Sequence, residues 1–241
     1  MRFERHEIEW TAETSKRIWN YYGSNPDYRT TFFGFIAGRS VARRLIEEVG
    51  ASADAHFLDF SCGHGDVIAA LLPHLRGDQK VHAVDFSDAF VRAVNERFKG
   101  APRFNGATLV ESLPSRLPAG HFEVVFATEV IEHLHDDELD RMLAECRRVL
   151  KPGGRVFFTT PNEENLEASK MMCPDCGCIY HKWQHVRAWT AESLRQRMDA
   201  AGLRTRSVRA VSWLGPLSKL RSLVLARRIN RDGLIYVGER R

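Results

Sequence analysis

Three ionisable residues that lie close together in the sequence have the types and the spacing of a metal-binding group. Glu129, Glu132 and His133 are spaced so that a helix or a turn places them on one face. Two carboxylates that converge repel each other unless protons or a cation lie between them. Two oxygen donors and one imidazole form half of an octahedral site of the kind that suits Mg²⁺ or Mn²⁺. The spacing alone is also consistent with helix capping or a surface ion pair.

The cysteine cluster is a second group of candidate metal ligands. Cys173, Cys176 and Cys178 lie close together, and His181 follows shortly after them. This pattern is consistent with a Zn²⁺ site, although four ligands in so short a segment form a cramped tetrahedron. His185 is an alternative fourth ligand, but a zinc-bound His185 could not also bind a cation together with Glu129, Glu132 and His133. Reduced thiols without a metal, and a redox-active pair, are the other interpretations.

A glycine turn between a strand and a helix indicates a nucleotide site. Residues 56–60 form an apolar run that leads into Gly63 and Gly65, and a helical pattern begins at Asp66. Glycines allow a tight turn and a close approach to a ligand, and the first N–H groups of the helix face that ligand. Asp85 closes the next predicted strand, where a carboxylate can accept from both hydroxyls of a ribose. A simple strand–helix turn and a solvated strand end are the alternatives.

This turn resembles motif I of the class I S-adenosylmethionine-dependent methyltransferases. The matching residues are, in order, Asp59, Phe60, Ser61, Cys62, Gly63, His64 and Gly65. Ser61 stands where the family has its first glycine. Residues 117–125, 129–134 and 150–154 follow at the family's spacing, so the resemblance covers most of the chain. It implies methyl transfer as the activity and S-adenosylmethionine (SAM) as the cofactor.

The resemblance also implies which residues contact the cofactor. The glycine turn would lie against the methionine part, Asp85 would bind the ribose, and Thr128 would lie near the sulfonium. Ser112 and Leu113 would flank the adenine. The complete set of expected cofactor contacts is Asp59, Ser61, Gly63, Gly65, Asp85, Phe86, Ser112, Leu113 and Thr128.

A further resemblance concerns residues 129–133. Ubiquinone-pathway O-methyltransferases and small-RNA 3′-terminal 2′-O-methyltransferases carry Glu-x-x-Glu-His at this point and hold a divalent cation with it. The RNA enzymes add a histidine from a segment after Thr-Pro-Asn, which here is residues 160–162, and this implies His185 as the fourth ligand. A cation at this place would make an acceptor hydroxyl more acidic and fix its oxygen. Glu132 and His133 are then the candidate catalytic residues, with an imidazole as the proton acceptor.

The rest of the chain alternates short apolar runs with helical patterns, which is typical of a parallel sheet with helices on both faces. Strands are predicted at residues 56–60, 81–86, 107–110, 122–127, 155–159, 206–211 and 234–237. Helices are predicted at residues 66–75, 88–98, 139–150 and 190–198, with Ser87 and Thr190 as N-caps. We expect a doubly wound, seven-stranded, mostly parallel α/β sheet of the Rossmann-like class. The resemblance implies the strand order 3-2-1-4-5-7-6 with the last strand antiparallel.

Three segments lie outside this alternation. Residues 1–50 predict an N-terminal helical cap with aromatic side chains that either pack the cap or cover the site, and residues 51–241 predict the methyltransferase domain. Residues 163–189 form a polar insertion that carries the cysteines, and a loop of this length is more often functional than idle. Residues 217–228 form a short basic amphipathic stretch that suits a membrane surface or a phosphate-bearing substrate.

The composition is that of a globular chain. Hydrophobic residues make up 44% and charged residues 27% of the sequence, which excludes a disordered, collagen-like or coiled-coil protein. No apolar run is long enough to span a membrane. Five cysteines and the lack of a signal-like start indicate a cytoplasmic location. The net charge of +4 neither requires nor excludes an acidic partner.

Together these features predict SAM-dependent, metal-assisted methylation of a hydroxyl on a small molecule, such as a sugar, a phenol or a lipid-linked intermediate. An RNA ribose 2′-O-methyltransferase is the alternative enzyme, although the chain has no recognised RNA-binding module. A non-catalytic, zinc-stabilised binding module that keeps the cofactor fold is the alternative from another class.

Overall fold

The structure, a computed structural model, describes residues 3–213 and 232–241. Within them the strands are β1 (His6–Glu7), β2 (His56–Phe60), β3 (Lys80–Asp85), β4 (Phe104–Leu109), β5 (Phe122–Thr128), β6 (Leu150–Pro161), β7 (Lys170–Met172), β8 (Cys178–His181), β9 (Leu203–Val211) and β10 (Gly233–Arg240). One sheet has seven strands in the order β4-β3-β2-β5-β6-β10-β9, and β10 is antiparallel to both neighbours. The predicted fold class, strand order and antiparallel last strand are therefore confirmed.

Helices cover both faces of this sheet. They are α1 (Ala12–Ser24), α2 (Phe33–Val49), α3 (Asp66–Leu71), α4 (Asp88–Arg97), α5 (Asp136–Val149) and α6 (Ala191–Ala200). The helix predicted at residues 66–75 is α-helical only as far as Leu71, and Leu72–His74 forms a 3₁₀ turn. The reason is Pro73, which has no N–H to continue the α-helical hydrogen bonds.

The two predicted N-caps behave differently. The side-chain oxygen of Thr190 accepts from the backbone N–H of Ser193, so this residue caps α6 as predicted. Ser87 occupies the N-cap position of α4, but the prediction that its hydroxyl caps the helix is wrong. The hydroxyl instead donates to Oδ1 of Asn20 in α1, at 3.1 Å. A long-range partner has replaced the local one.

Burial on both faces explains why the central strands read as nearly continuous apolar runs. Successive residues of a strand point to opposite faces. Leu58 and Phe158 accordingly lie in the core beneath α5 and α6, whereas Phe57 and Phe126 lie in the core beneath α2, α3 and α4. Each such side chain contributes roughly 1.5–3 kcal/mol when it is fully buried.

The predicted N-terminal cap shares a core with the sheet. Val41 and Leu45 of α2 have no exposed surface and pack in the same core as Phe57. The helix also packs directly on α3. The domain boundary after residue 50 stays a prediction. Helix α2 lies before that boundary and packs on the sheet that lies after it.

The predicted insertion, residues 163–189, pairs with the N-terminal segment. Strands β1 and β7 flank β8 in a small sheet, with β1 parallel and β7 antiparallel to it. The hydroxyl of Tyr22 in α1 donates to the backbone oxygen of Lys182 at 2.6 Å. These contacts hold α1 against the insertion.

The basic amphipathic stretch predicted at residues 217–228 lies outside the described residues. Its contact with a membrane or a phosphate therefore stays a prediction. Among the helices of residues 3–213, none is both long enough and apolar enough to cross a bilayer.

Gly65 is the position of the glycine turn at which packing excludes a side chain. Its φ is +72°, and an added Cβ would lie 2.8 Å from Cε2 of Phe98 and 3.1 Å from Cγ2 of Val94. We expect Gly65→Ala to lower the free energy of unfolding by about 2–4 kcal/mol, because left-handed strain and overpacking add. Gly100→Ala is the matched control, since φ is +77° there and no atom lies within 4 Å of the added Cβ. It should cost about 1 kcal/mol in urea denaturation, and equal losses would contradict the packing argument.

Candidate functional site

The glycine turn connects β2 to α3 and is tied to the neighbouring strand. The backbone N–H groups of Ser61 and Cys62 both donate to the oxygen of Val84, at 2.9 and 3.0 Å. Ser61, Gly63 and Gly65 have left-handed backbone, with φ of 74°, 51° and 72°. Because serine carries a Cβ, Ser61 holds backbone strain on the order of 1 kcal/mol that a glycine would not hold.

Two carboxyl groups lie beside this turn. Asp85 accepts from the backbone N–H groups of Gly63 and Ser87, both at 2.9 Å. Asp59 is buried, and its Oδ1 has no hydrogen-bond partner among the described residues. Burial and the neighbouring Asp85 raise the pKa of Asp59 well above its usual range. Burial also raises the pKa of Asp85 to about 6, although its backbone hydrogen bonds act to lower that pKa. An unpaired buried oxygen here fits a bound molecule with hydroxyl or ammonium donors.

The other expected cofactor contacts lie at the same edge of the sheet. Phe86 follows β3 and is 43% exposed, Ser112 and Leu113 follow β4, and Thr128 ends β5. The carboxyl ends of these parallel strands meet at one edge, which is where open α/β sheets bind their ligands. The structure thus brings the expected set together at one edge, and the contacts themselves stay a prediction.

The two predicted carboxylate ligands follow β5 in a turn. Glu129 has left-handed backbone, with φ of 53°, and its Oε1 accepts from the hydroxyl of Thr159 at 2.8 Å. Glu132 is 1% exposed, and its Oε2 accepts from the hydroxyl of Thr160 at 2.9 Å. Its Oε1 has no hydrogen-bond partner in the described part of the chain. Two adjacent threonines of β6 therefore orient the two carboxyl groups and leave one oxygen of Glu132 for a ligand.

Two imidazole rings lie close to the carboxyl group of Glu132. His133 has Nε2 at 3.9 Å from Oε1 of Glu132, and its Nδ1 lies 3.5 Å from the backbone oxygen of Gln184. Nδ1 of His185 lies 2.5 Å from Oε2 of Glu164. One candidate ligand atom from each of Glu132, His133 and His185 lies within 4.8 Å of the other two. In both imidazoles Nδ1 contacts an acceptor, which in metal centres fixes Nε2 as the ligand.

Burial controls the charges of Glu132 and His133, which with His185 form what we call the Glu–His cluster. Glu129 lies beside the cluster without being part of the close group. Burial raises the pKa of Glu129 to about 8, and burial together with Glu129 raises that of Glu132 well above its usual range. Burial and the neighbouring His185 lower the pKa of His133 to about 3. The carboxyl groups therefore need protons or a cation, whereas the His133 imidazole is neutral and suited to be a ligand.

Sequence reasoning misses three residues of this region. Glu164, which contacts His185, also faces Nε2 of His181 at 3.5 Å. The side chain of Gln184 accepts from Nε1 of Trp19 at 2.6 Å and donates to the His133 backbone oxygen at 3.0 Å. The position of Glu164 just after Thr-Pro-Asn is a signal that could have identified it. Nothing local in the sequence indicates the contacts that Gln184 and Trp19 make.

The cysteine cluster and His181 lie in different surroundings. The backbone N–H groups of Cys176 and of the residue before it lower the pKa of Cys173, whose thiol also contacts that of Cys176. None of the groups of three candidate metal ligands in the described residues includes a cysteine. His181 is buried and faces Glu164, and its Nδ1 accepts from two backbone N–H groups of its own loop. The structure does not bring His181 to the thiols, and zinc at Cys173, Cys176 and Cys178 stays a prediction.

This chain is similar in sequence to known methyltransferases. A family model described as a methyltransferase domain matches residues 35–208. The chain is 25% identical over 215 residues to the ubiquinone/menaquinone biosynthesis C-methyltransferase UbiE of Shewanella frigidimarina, covering 85% of this chain and 84% of that protein. It is 34% identical over 119 residues to the ubiquinone biosynthesis O-methyltransferase of Azotobacter vinelandii, covering 48% of this chain and 49% of that protein.

A solved structure shares the fold. The 1,6-didemethyltoxoflavin-N1-methyltransferase of Burkholderia thailandensis superposes with a TM-score of 0.66 at 17% identity, covering 98% of this chain and 93% of that one. At this identity the likeness concerns the fold alone. Carbon, oxygen and nitrogen methyltransferases thus all appear among the similar proteins.

The raised pKa of Glu129 predicts a pH-dependent effect on stability. Its pKa is about 8 in the fold against an ordinary 4.5. The fold therefore favours the protonated carboxyl group, and the free energy of unfolding is highest below pH 4.5 and decreases as the pH rises to 8. In EDTA, we expect Glu129→Gln to match the parent near pH 4.5 and to exceed it by about 2–3 kcal/mol near pH 7. The amide carries no charge and keeps the acceptor for Thr159. Urea denaturation at both pH values measures the difference, and a difference independent of pH would contradict the prediction.

Proposed function

The chain belongs to the methyltransferase-domain family, and on this premise we propose that it methylates a hydroxyl group of a small molecule with the help of a divalent cation. It is a class I, SAM-dependent methyltransferase. The region that matches the family, residues 35–208, contains both the glycine turn and the Glu–His cluster. The convergence of Glu132, His133 and His185 at the carboxyl edge of the sheet is the observation that carries the proposal.

The glycine turn fits the cofactor. No atom lies within 4 Å of the Cβ position of Gly63, so the backbone there is open to a ligand. Asp85 and the unpaired Oδ1 of Asp59 offer acceptors for ribose hydroxyls and for an ammonium group. The bound cofactor supplies a methyl group that its sulfonium makes electrophilic. The task left to the chain is to hold the acceptor oxygen in line with that methyl group and to remove its proton.

The Glu–His cluster fits a divalent cation such as Mg²⁺ or Mn²⁺. Glu132 offers an unpaired oxygen, and His133 and His185 offer imidazole nitrogens whose partners fix their orientation. A divalent cation supplies Lewis acidity that lowers the pKa of an alcohol or a phenol. Glu132 and His133 are the proposed catalytic residues, because they would hold the cation that activates the acceptor oxygen. Because both imidazoles of the cluster would hold the cation, the proton of the acidified hydroxyl would leave to solvent.

Carbon methylation is the second candidate, because a relative that matches 85% of the chain is named as a C-methyltransferase. The two reactions are separated by transferring a ¹³C-labelled methyl group from SAM to small-molecule fractions of a cell extract. A methoxy carbon and a C-methyl carbon have different NMR shifts. An RNA fraction is the third arm of the experiment. Label on the ribose, together with RNA binding that weakens steeply with salt, would identify a ribose hydroxyl of RNA as the acceptor instead.

Glu132→Gln tests the cation role. The amide keeps an acceptor for Thr160 but has no negative charge, so we expect kcat/KM in Mg²⁺ or Mn²⁺ to fall about 10- to 100-fold. EDTA should reduce the parent to the level of the variant and leave the variant unchanged. Glu47→Gln is the matched control, because Glu47 lies on α2 with 61% of its side chain exposed. Parent activity that survives EDTA would remove the cation from the proposal.

The cofactor role of Asp85 predicts a pH-dependent affinity. Its pKa is about 6, and only the ionised group can accept from two ribose hydroxyls as well as from its backbone partners. The affinity for S-adenosylhomocysteine should therefore increase about tenfold between about pH 5 and pH 7, as the ionised fraction increases. Isothermal titration calorimetry measures it, with Asp85→Asn expected to bind weakly at both pH values. A parent affinity that is the same at both would show that Asp85 does not hold the ribose.

A further inference from the structure

Three histidines converge at the edge of the sheet opposite the glycine turn. His56 is the first residue of β2, His82 lies in β3, and His121 immediately precedes β5. Leu58 pairs with His82 on one side and with Val125 on the other. Side chains two residues apart on a strand share a face, so His56 and His82 project from the face of Leu58, and the ring of His121 contacts that of His56. The central strands of the sheet thus bring together side chains that are far apart in sequence.

The distances between their nitrogens are those of a metal site. Nδ1 of His56 lies 3.0 Å from Nε2 of His82 and 3.1 Å from Nε2 of His121. One nitrogen from each ring lies within 4.8 Å of the other two. Ligands about 2.0–2.1 Å from a tetrahedral Zn²⁺ are separated by roughly 3.3 Å. Small movements of the side chains would therefore complete three corners of a tetrahedron.

Hydrogen bonding cannot satisfy this arrangement. A ring nitrogen either donates one proton or accepts through one lone pair, so Nδ1 of His56 can make only one good hydrogen bond to its two neighbours. An additional proton is disfavoured, because burial and the other imidazoles lower the pKa of His82 to about 4, and burial and His121 lower that of His56. A cation would instead use the lone pairs of all three nitrogens at once.

We propose that His56, His82 and His121 bind a transition-metal dication of the Zn²⁺ class. Three imidazoles without a carboxylate favour Zn²⁺ over Mg²⁺ or Mn²⁺, which prefer oxygen donors. All three histidines are partly exposed, which leaves the fourth position for water. The side-chain amide of Asn105 lies 3.1 Å from Nε2 of His82 and, turned over, presents its oxygen to the same position. The neighbouring Lys80 and Lys151 disfavour a cation, so its affinity must come from the nitrogen donors.

A metal at this site would stabilise the sheet, and this role is independent of the proposed methyl transfer. A metal there links the amino ends of the three adjacent strands β3, β2 and β5. The glycine turn and the Glu–His cluster follow the carboxyl ends of β2 and β5. We therefore expect Zn²⁺ to raise the thermal stability of the chain without taking part in the reaction.

The test compares metal uptake by the full chain and two single variants. After EDTA treatment and dialysis against Zn²⁺, the parent should hold one more zinc per chain than His121→Ala. The matched control is His74→Ala, because His74 is exposed and belongs to none of the candidate ligand groups in the described residues; it should retain the parent's zinc. Circular dichroism checks the fold, and His121→Gln replaces His121→Ala if the latter is unfolded. Equal zinc in all variants overturns the proposal.

Cobalt substitution identifies the ligands. The Co²⁺ absorption of the parent minus that of His121→Ala should show tetrahedral ligand-field bands without thiolate charge transfer, since imidazoles and not cysteines hold this ion. A thiolate band in the difference spectrum overturns the proposal. His121→Ala should keep the parent's Mg²⁺-dependent methyl transfer, whereas Glu132→Gln should lower it about 10- to 100-fold and keep the zinc bound by the three histidines. The two proposals can therefore fail separately.

Discussion

The need to balance buried negative charge next to β5 is the constraint on which the candidate site depends. The carboxyl group of Glu132 is buried, that of Glu129 is partly buried, and each raises the cost of ionising this region, because an ionised carboxylate in such surroundings is costly without a partner. Thr159 and Thr160 supply one hydrogen bond to each of them, which orients a charge but does not neutralise it. Within the described residues, neither carboxyl group forms an ion pair with a lysine or arginine. Protons or a divalent cation must complete the site.

The segments outside the main sheet position the ligands for that cation. The insertion carries His185 together with Glu164, which contacts its Nδ1. Helix α1 packs Trp19 against the ring of His133, with 4.9 Å between the ring centroids, and Gln184 bridges Trp19 and the His133 backbone. The sheet supplies the carboxylates, and the added segments supply and orient the second imidazole. A function that uses this cluster therefore requires the N-terminal helix as well as the sheet.

The sequence predicts those features that follow from local patterns. The glycine turn, the strand order and the three ionisable residues of 129–133 depend on spacing and on a family resemblance. Ser87 shows the limit of such reasoning, because a local N-cap is the expected role and a contact with Asn20 replaces it. Gln184, Glu164 and the histidines at the opposite edge of the sheet become related to one another only through tertiary packing. The spacing of single residues carries no information about such contacts.

Anomalous diffraction from a crystal soaked in Mn²⁺ and S-adenosylhomocysteine tests whether the Glu–His cluster binds a cation beside the cofactor. We expect a manganese peak roughly 2.0–2.4 Å from Oε1 of Glu132 and from a ring nitrogen of both His133 and His185. S-adenosylhomocysteine should lie against the glycine turn, with its sulfur facing the peak. S-adenosylhomocysteine bound in the turn with no manganese at the Glu–His cluster would show that these three residues do not hold a cation.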